Sequence, residues 1–378
     1  YQMGWGGAAV TEKDFAIVGV SDVSLGYGSP QILAYLSSLA SLYNTNVLAL
    51  EPDEVHKQPF QSSKPALTIK RISTSLPPHT SAGRIAYILE AAKQVNRIKP
   101  RMLVIFCTYS LPVLYKLTYK PDFVLYVSLE SIEAYGKLDI QINRHIRDKL
   151  DLIIFPEENR ARLDTKRCGF IKQNLAVVYN AAALTPDGAI CPAGQRRERI
   201  LYSGTLDPER TLAGYFLEKD VQALPVDLYG TISGDADGKL RRGLDGSNTR
   251  LRYHGMIGAK SLEQVRRTSA YSLVMWAPTN ENQLYACPNK FFESIADGVP
   301  PIAAPHPQMK MLLERYGCGI LMDDWSLTAF KRALVEAVSI FGTTNYDAMV
   351  AACRTAAIEE LNWETQFNKI IPRLPDQL

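Results

Sequence analysis

Short apolar runs alternate along the chain with longer segments of helical periodicity. In the first half, predicted strands lie at 14–21, 46–50, 102–107, 123–127, 152–155 and 175–179. Residues 30–43 and 84–98 have the apolar spacing of helices, and Pro30 suits a first helical turn. Strands that alternate with helices predict a parallel sheet covered by helices. The first half therefore predicts one doubly wound domain over residues 1–183.

A second strand–helix series follows a break in composition. Residues 184–198 collect Pro, Gly and polar side chains, so they are the predicted interdomain linker. Further strands are predicted at 199–202, 226–229, 251–254, 271–275, 301–304 and 320–322. They predict a second doubly wound domain over 199–345, and residues 346–378 are predicted helices that cross back to the first domain. Two such domains place an active site in the cleft between them.

The composition is that of a globular protein with two cores: 378 residues, 46% hydrophobic and 21% charged. No apolar run approaches the roughly 18 residues needed to span a bilayer. The cysteines form no CxxC pair and no metal-type spacing, which favours a reducing compartment. Residues 1–11 lack the pattern of a secretory signal peptide. The cytoplasm is therefore the expected location.

The net charge is only +3, but the basic residues are unevenly distributed. Between residues 55 and 121 lie eleven Lys or Arg against one acid, Glu90. This predicts a basic face on the first domain, with two interpretations. The face is either a solvated surface or a contact for an anionic partner, such as the inner membrane face or a lipid-linked acceptor. The stretch has no nucleic-acid-binding motif, so nucleic acid is not an expected partner.

The segment 286–300 carries the most specific chemistry. Pro288 and Gly298 fit the start and stop signals of a helix between them. The free N–H groups and the positive dipole end of a helix start suit a diphosphate. Lys290 adds a positive charge in the first turn, which a nearby anion would offset. Glu293 could accept hydrogen bonds from a ribose diol, or it could form a surface ion pair with Lys290.

This segment resembles the donor-binding region of GT-B glycosyltransferases of family 4, which carry the pattern P-S/N-K-x-x-E-x-x-A-x-G-x-P. The matching positions are Pro288, Asn289, Lys290, Glu293, Ala296, Gly298 and Pro300. The resemblance implies that Asn289 and Lys290 contact the diphosphate, that Lys290 stabilises it as it leaves, and that Glu293 binds the ribose. It also implies the GT-B fold: an α/β protein with two Rossmann-like, doubly wound domains facing a central cleft.

Weaker matches extend the resemblance over most of the chain. Gly204 resembles the glycine turn after the first strand of the donor-binding domain, and Arg210 the basic residue that follows it. Gly255 resembles the glycine before the base-binding loop. The resemblance implies that all three contribute to donor binding. Tyr285 stands where many family members carry a second acid, and Glu281 is the nearest acid, so contacts to the sugar hydroxyls stay unassigned.

The loop after the first predicted strand contains Gly26 and Gly28, which permit a close backbone approach to the donor phosphate or the acceptor. Asp22, in the same loop, is a candidate general base for an inverting transfer. Glu130 and Glu133 are rival carboxylates after a later strand. A retaining transfer requires no dedicated base, because the departing phosphate can take the proton.

The predicted function is metal-independent transfer of a sugar from a UDP- or GDP-sugar to a glycan, glycolipid or small molecule, with retention implied by the resemblance. No cofactor is expected besides this donor. Asp235 and Asp237 formally match a DxD metal motif, but they lie in a Gly-rich loop rather than after a strand. The alternatives are an epimerase or hydrolase of the same fold, and a non-catalytic sugar-binding homologue.

Overall fold

A computed structural model describes residues 15–26, 29–54, 65–245 and 249–378. Gly28, the predicted cleft-loop glycine, lies outside the described residues, as do residues 1–14 and part of the basic stretch. The chain divides into two compact units. The first unit comprises Tyr1–Val178 with Lys369–Leu378, and the second comprises Tyr179–Asn368.

The first unit contains a sheet of seven parallel strands. These are β1 Phe15–Val20, β2 Asn46–Pro52, β3 Leu67–Ile72, β4 Met102–Phe106, β5 Phe123–Val127, β6 Leu152–Phe155 and β7 Leu175–Val177. Their order across the sheet is β3-β2-β1-β4-β5-β6-β7. The order reverses between β1 and β4, so the loops after these two strands diverge and leave room for a ligand at their carboxyl ends. The sequence did not predict β3, because this edge strand is charged and only half-buried.

Four α-helices of the described residues cover this sheet: α1 Pro30–Leu42, α2 Ser81–Ile98, α3 Lys137–Ile146 and α4 Glu158–Cys168. Helix α1 begins at Pro30, as predicted. Helix α2 begins one turn earlier than predicted, because the Thr80 hydroxyl accepts a hydrogen bond from the Gly83 N–H and caps it. A 3-10 helix at Thr108–Tyr115 follows β4. One face of the sheet packs with α2, α3 and α4 in one hydrophobic core.

The second unit contains six parallel strands in the order β10-β9-β8-β11-β12-β13. The strands are β8 Arg197–Ser203, β9 Val226–Tyr229, β10 Arg252–Tyr253, β11 Ser269–Val274, β12 Pro301–Ala303 and β13 Ile320–Leu321. The helices are α5 Lys219–Gln222, α6 Lys239–Leu244, α7 Ala259–Thr268, α8 Glu281–Leu284, α9 Asn289–Ala296, α10 Pro307–Tyr316, α11 Leu327–Ile340, α12 Thr344–Glu359 and α13 Trp363–Asn368. The order reverses between β8 and β11. Both sheets confirm the predicted α/β, doubly wound class.

The segment 184–198, the predicted interdomain linker, packs on the second unit. The Thr185 hydroxyl donates to the buried Asp297 carboxylate at 2.8 Å, and the Arg196 guanidinium donates to the Gly298 carbonyl at 2.6 Å. The division between units falls earlier, after Val178. The Pro and Gly residues therefore mark an irregular but anchored backbone, not a connection between units.

The C-terminal helices also differ from the prediction for residues 346–378. Helices α12 and α13 belong to the second unit, because the buried Tyr346 hydroxyl of α12 donates to the backbone of β11. Only Lys369–Leu378 belongs to the first unit. There the Arg373 guanidinium donates to the carbonyls of Leu175 and Gln173, at the edge of the sheet.

The basic stretch is partly neutralised by acids from outside it. Arg71 pairs with the buried Glu51 at 2.8 Å, and Arg101 pairs with Asp122 at 2.8 Å. The predicted basic face is therefore smaller than the count of cations indicates. Across the described ranges, no helix combines the length and the apolar character that crossing a bilayer requires.

Candidate functional site

Three glycine turns lie side by side at the carboxyl edge of the second sheet. Gly204 follows β8, Gly230 follows β9 and Gly255 follows β10. The Gly204 N–H donates to the Tyr229 carbonyl at 2.9 Å, and the Gly230 N–H donates to the Gly255 carbonyl at 2.8 Å. An edge with so few side chains lets a ligand approach the backbone. The sequence placed Gly204 and Gly255 here but missed Gly230, although it too directly follows a predicted strand.

Gly230→Ala is expected to destabilise the second unit by about 3 kcal/mol or more. Gly230 has φ +138°, and an added Cβ would collide with the Gly204 carbonyl oxygen. Gly255→Ala is the matched control, because φ there is +71° but the space around it is open. We expect it to cost about 1–2 kcal/mol. Urea unfolding of both variants tests this, and equal losses would show that the collision is unimportant.

Helix α9 presents its N-terminus at the same edge. It begins at Asn289 after Pro288 as N-cap, and Gly298 adopts φ +68° just past its end. Pro288 and Gly298 therefore mark the start and the end of the helix, as the sequence predicts. Phe292 and Ile295 anchor the helix through its buried face. Because α9 follows the loop after β11, its first-turn N–H groups lie at the carboxyl end of the sheet, where an anion would be favoured.

The Lys290 side chain reaches from α9 to the end of β8. Its Nζ donates to the Ser203 carbonyl at 2.6 Å and lies 4.7 Å from the centroid of the Tyr202 ring. A Cβ on Gly204 would stand 3.0 Å from this Nζ. The glycine therefore leaves the space that the ammonium group occupies, which links the two predicted donor-site residues.

Burial lowers the pKa of Lys290 to about 8, an effect that the nearby Glu293 carboxylate opposes. Lys290 therefore remains mainly charged at neutral pH. The Ser203 carbonyl and the Tyr202 ring face offset part of the dipole penalty for a cation in a first helical turn. Neither carries a full negative charge, so the position retains the positive field that an anionic ligand requires.

Arg210 joins this region through the loop after β8. Its carbonyl accepts a hydrogen bond from the Ala277 N–H at 2.9 Å, which ties this loop to the loop after β11. Its exposed guanidinium lies 3.9 Å from the Asp207 carboxylate. Arg210 therefore supplies a second cation near the point where the strand order reverses.

Glu293 forms an ion pair with Arg266 of α7 at 2.8 Å, while the same guanidinium also binds Asp297 at 2.8 Å. Lys290 instead bonds to Ser203, so the predicted surface pair between Lys290 and Glu293 is not the contact that these side chains make. The Glu293 carboxylate stays partly exposed. Its role in ribose binding remains a prediction.

A buried histidine, His306, supports the loop between β11 and α9. Its ring stacks on Trp276 with centroids 3.9 Å apart, and the Trp325 indole N–H donates to its Nε2 at 3.2 Å. Its Nδ1 lies 3.0 Å from the Leu284 carbonyl and its Nε2 lies 3.2 Å from the Trp276 carbonyl, so the ring connects two segments of this loop. No motif in the sequence assigns a specific role to this histidine, because its partners are distant in the chain.

The contribution of His306 to the free energy of unfolding is expected to fall as the pH drops from about 6.5 towards 4. Burial lowers the pKa of His306 from 6.5 to about 4 in the folded protein. In this window the unfolded chain binds a proton at His306 that the folded chain does not. Urea unfolding at several pH values measures the slope. His306→Gln should remove this contribution from the slope, and His145→Gln, at an exposed histidine, should leave the slope unchanged; unchanged slopes in both would contradict the assignment.

Asp22 lies at the corresponding strand reversal of the first sheet, after β1. Burial raises the pKa of Asp22 to about 7, Arg84 lowers it and Glu130 raises it further. Its Oδ1 is buried and has no hydrogen-bond partner within the described part of the chain. The thiol of Cys107 hydrogen-bonds to the carboxyl. Cys107, which the sequence missed, has φ +62°, a strained conformation typical of functional sites.

Glu130, the rival carboxylate, lies after β5 and is 53% exposed. Its carboxylate is 3.7 Å from the guanidinium of the buried Arg160. Gly26 adopts φ +83° in the loop after β1, and the preceding Leu25 N–H donates to Glu51 at 2.6 Å. The structure therefore separates the two carboxylates chemically: Asp22 has a buried oxygen without a hydrogen-bond partner in the described residues, whereas Glu130 is exposed and ion-paired.

Asp235 and Asp237 act as caps of helix α6. Asp235 accepts hydrogen bonds from the N–H groups of Leu240 and Arg241, each at 2.9 Å, and Asp237 accepts one from Lys239. Within the ranges that the structure covers, no cluster of three or more His, Cys, Asp or Glu residues is arranged to hold a metal ion.

No protein-family model and no curated protein sequence matches the chain. Solved structures do resemble it. Anabaena HepE in complex with UDP shares 13% identity over 94% of this chain and 98% of its own, with a TM-score of 0.68. Sucrose-phosphate synthase from Thermosynechococcus elongatus shares 12% identity over 94% and 96%, with a TM-score of 0.69. A glycosyltransferase from Rickettsia africae shares 10% over 95% and 97%, with a TM-score of 0.65.

These likenesses extend over nearly the whole of each chain, so the fold is that of the GT-B glycosyltransferases, as predicted. The sequence identities are low, and what they establish is the fold. Function has to be argued from the site.

Proposed function

We propose that the protein transfers a sugar from a nucleoside diphosphate sugar to an acceptor, with the donor bound by the second unit and the acceptor by the first. One observation carries the proposal: the Lys290 ammonium lies against the Gly204 turn, beside the N-terminus of α9. A cation, a bare backbone edge and a helix start together suit a diphosphate. The structure of HepE, which shares the fold, contains UDP, and this favours UDP as the nucleotide.

The second unit would act by stabilising the leaving group. As the glycosidic bond breaks, negative charge accumulates on the departing diphosphate. Lys290 and the first-turn N–H groups of α9, including that of Asn289, would direct positive charge at this diphosphate. Arg210 adds a further cation, and Glu293 would accept hydrogen bonds from the ribose. With this positive charge in the protein, we expect no metal ion to be required.

The first unit would bind the acceptor at Asp22. Retention is the stereochemistry that the family resemblance implies, with the departing diphosphate accepting the proton. The buried Oδ1 of Asp22 favours a second candidate, an inverting transfer in which Asp22 removes the acceptor proton. The anomeric configuration of the product, read by NMR, distinguishes the two.

The test combines binding and turnover. In a thermal-shift screen with UDP, GDP and their hexose derivatives, the cognate nucleotide at a hundredfold its Kd should add about 2.7 kcal/mol of stability. The cognate labelled donor should then be consumed only with an acceptor. Consumption without an acceptor would support the epimerase or hydrolase, and binding without turnover across an acceptor panel would support the non-catalytic homologue.

A further inference from the structure

An apolar groove of about 580 Å³ opens on the surface of the first unit. It lies between α2, the 3-10 helix at Thr108–Tyr115 and the start of α3. Its apolar walls are formed by Ile85, Ile88, Leu89, Tyr109, Tyr115 and Leu138. The volume is that of a small-molecule site rather than of a packing defect.

Two of these side chains project into solvent to an unusual degree. Ile85 is 62% exposed and Leu138 is 72% exposed. Leu89 lies one helical turn after Ile85, so the two form a continuous apolar stripe on α2. A contiguous exposed apolar surface of this kind marks a binding site.

The rim of the groove is positively charged. Arg84 and Lys116 line it, and the Lys149 ammonium lies 5.7 Å from the centroid of the Tyr115 ring. Asp139 also lines the groove, but its carboxylate caps α3 by accepting the Gly136 N–H at 2.9 Å. An apolar channel with a cationic rim is complementary to an anionic amphiphile.

A series of side chains connects the groove with Asp22. The Arg84 guanidinium lies 3.8 Å from the centroid of the Tyr109 ring, and Tyr109 meets Tyr135 edge-on at 4.8 Å. The side chain of Cys107 hydrogen-bonds to those of Tyr135 and Asp22. This series of contacts joins the groove to Asp22, the carboxylate at which the acceptor is proposed to bind, within the first unit.

We propose that the groove binds the apolar chain of an amphiphilic, negatively charged acceptor, with the head group at Arg84 beside Asp22. The assignment of this molecule as an acceptor rests on the proposed function, whereas its binding in the groove does not. A surface used only to anchor the protein on a membrane would not need a connection to Asp22, and the contact series through Tyr135 and Cys107 favours a substrate.

The chain-binding part is tested by calorimetric titration with octyl sulfate below its micelle concentration. Hexyl sulfate should bind about tenfold more weakly, because each buried methylene contributes about 0.8 kcal/mol and burial in an open groove is incomplete. Leu138→Asp and Ile85→Asp, both at exposed positions, should weaken octyl sulfate binding about tenfold or more. Ile171→Asp, at a 45% exposed position of the same unit, is the matched control and should bind normally. Unchanged affinity in both groove variants overturns the proposal.

The head-group part is tested by charge changes at the Asp22 end. Arg84→Gln should remove the preference for octyl sulfate over the uncharged octyl glucoside. Asp22→Asn should tighten octyl sulfate binding severalfold, because it removes a carboxylate next to the sulfate. If neither variant changes the preference, the head group lies elsewhere and the proposed orientation is wrong.

Two further measurements distinguish the acceptor proposal from a membrane contact and from the proposed transferase function. If Leu138→Asp loses binding to vesicles of phosphatidylcholine with phosphatidylglycerol but keeps octyl sulfate binding, the groove is a membrane contact and the acceptor proposal falls. UDP binding should be unchanged in Leu138→Asp. Conversely, if the wild-type protein binds octyl sulfate but neither UDP nor GDP, the groove assignment holds while the proposed transferase function fails.

Discussion

Lys290→Ala is expected to lower kcat/KM for the nucleotide-sugar donor by about two to three orders of magnitude. The substitution removes a cation that is already fixed against the Ser203 carbonyl, in the space left by Gly204. Because diphosphate charge grows as the sugar departs, much of the loss should appear in kcat. The loss of UDP affinity should accompany it.

Steady-state kinetics and calorimetry with UDP measure the two effects. Lys310→Ala is the matched control, since Lys310 is an exposed lysine of the same unit, paired with Glu314 on α10. The wild-type affinity for UDP should also fall as the pH rises through about 8, where the unliganded Lys290 loses its proton. A Lys290→Ala protein that binds and turns over donor like the wild type would refute the assigned phosphate role.

Asp22→Asn is expected to lower kcat by about 10²–10⁴-fold if Asp22 removes the acceptor proton. The wild-type rate should then rise with pH through about 7, where Asp22 ionises. Glu130→Gln should change kcat by less than about twofold, because that carboxylate is exposed and paired with Arg160. Nearly full activity in Asp22→Asn would exclude the inverting candidate and leave retention.

The stability of Asp22→Asn gives a readout that does not depend on the reaction. The folded protein holds the Asp22 proton up to about pH 7, whereas the unfolded chain releases it near 3.8. The contribution of Asp22 to the wild-type free energy of unfolding should therefore decrease as the pH rises through this window, opposite in sign to the contribution of His306. Asp22→Asn, which stays neutral, should lack the decrease and be the more stable protein at pH 8. Parallel pH profiles of the two proteins would contradict the burial of the carboxyl.

The sequence predicted the buried strands of the sheets better than the edge strand and the boundary between the domains. Buried strands such as β4 and β6 are nearly all apolar and were predicted within a residue. The edge strand β3 was missed because Lys70 and Arg71 interrupt its apolar pattern. The linker was misplaced for a different reason: Pro and Gly report on backbone geometry, whereas the anchoring of Thr185 and Arg196 depends on residues about a hundred positions away.

The candidate site divides in the same way. Pro288 and Gly298 bound a helix through local rules, so its position could be predicted. The meeting of Lys290 with Ser203 depends on β8 and β11 being neighbours, which only the fold determines. The pairing of Glu293 with Arg266 and the stacking of His306 on Trp276 likewise join distant segments. No pattern in the sequence reports such contacts.

The return of Lys369–Leu378 to the first unit makes that unit discontinuous in the chain. Arg373 then covers carbonyls at the β7 edge, which would otherwise be open to pairing. During synthesis, the first unit lacks its C-terminal segment, Lys369–Leu378, until the whole second unit has been translated. The second unit, which is inserted in the first, can therefore complete its folding first. The first unit begins earlier in the chain but is completed last.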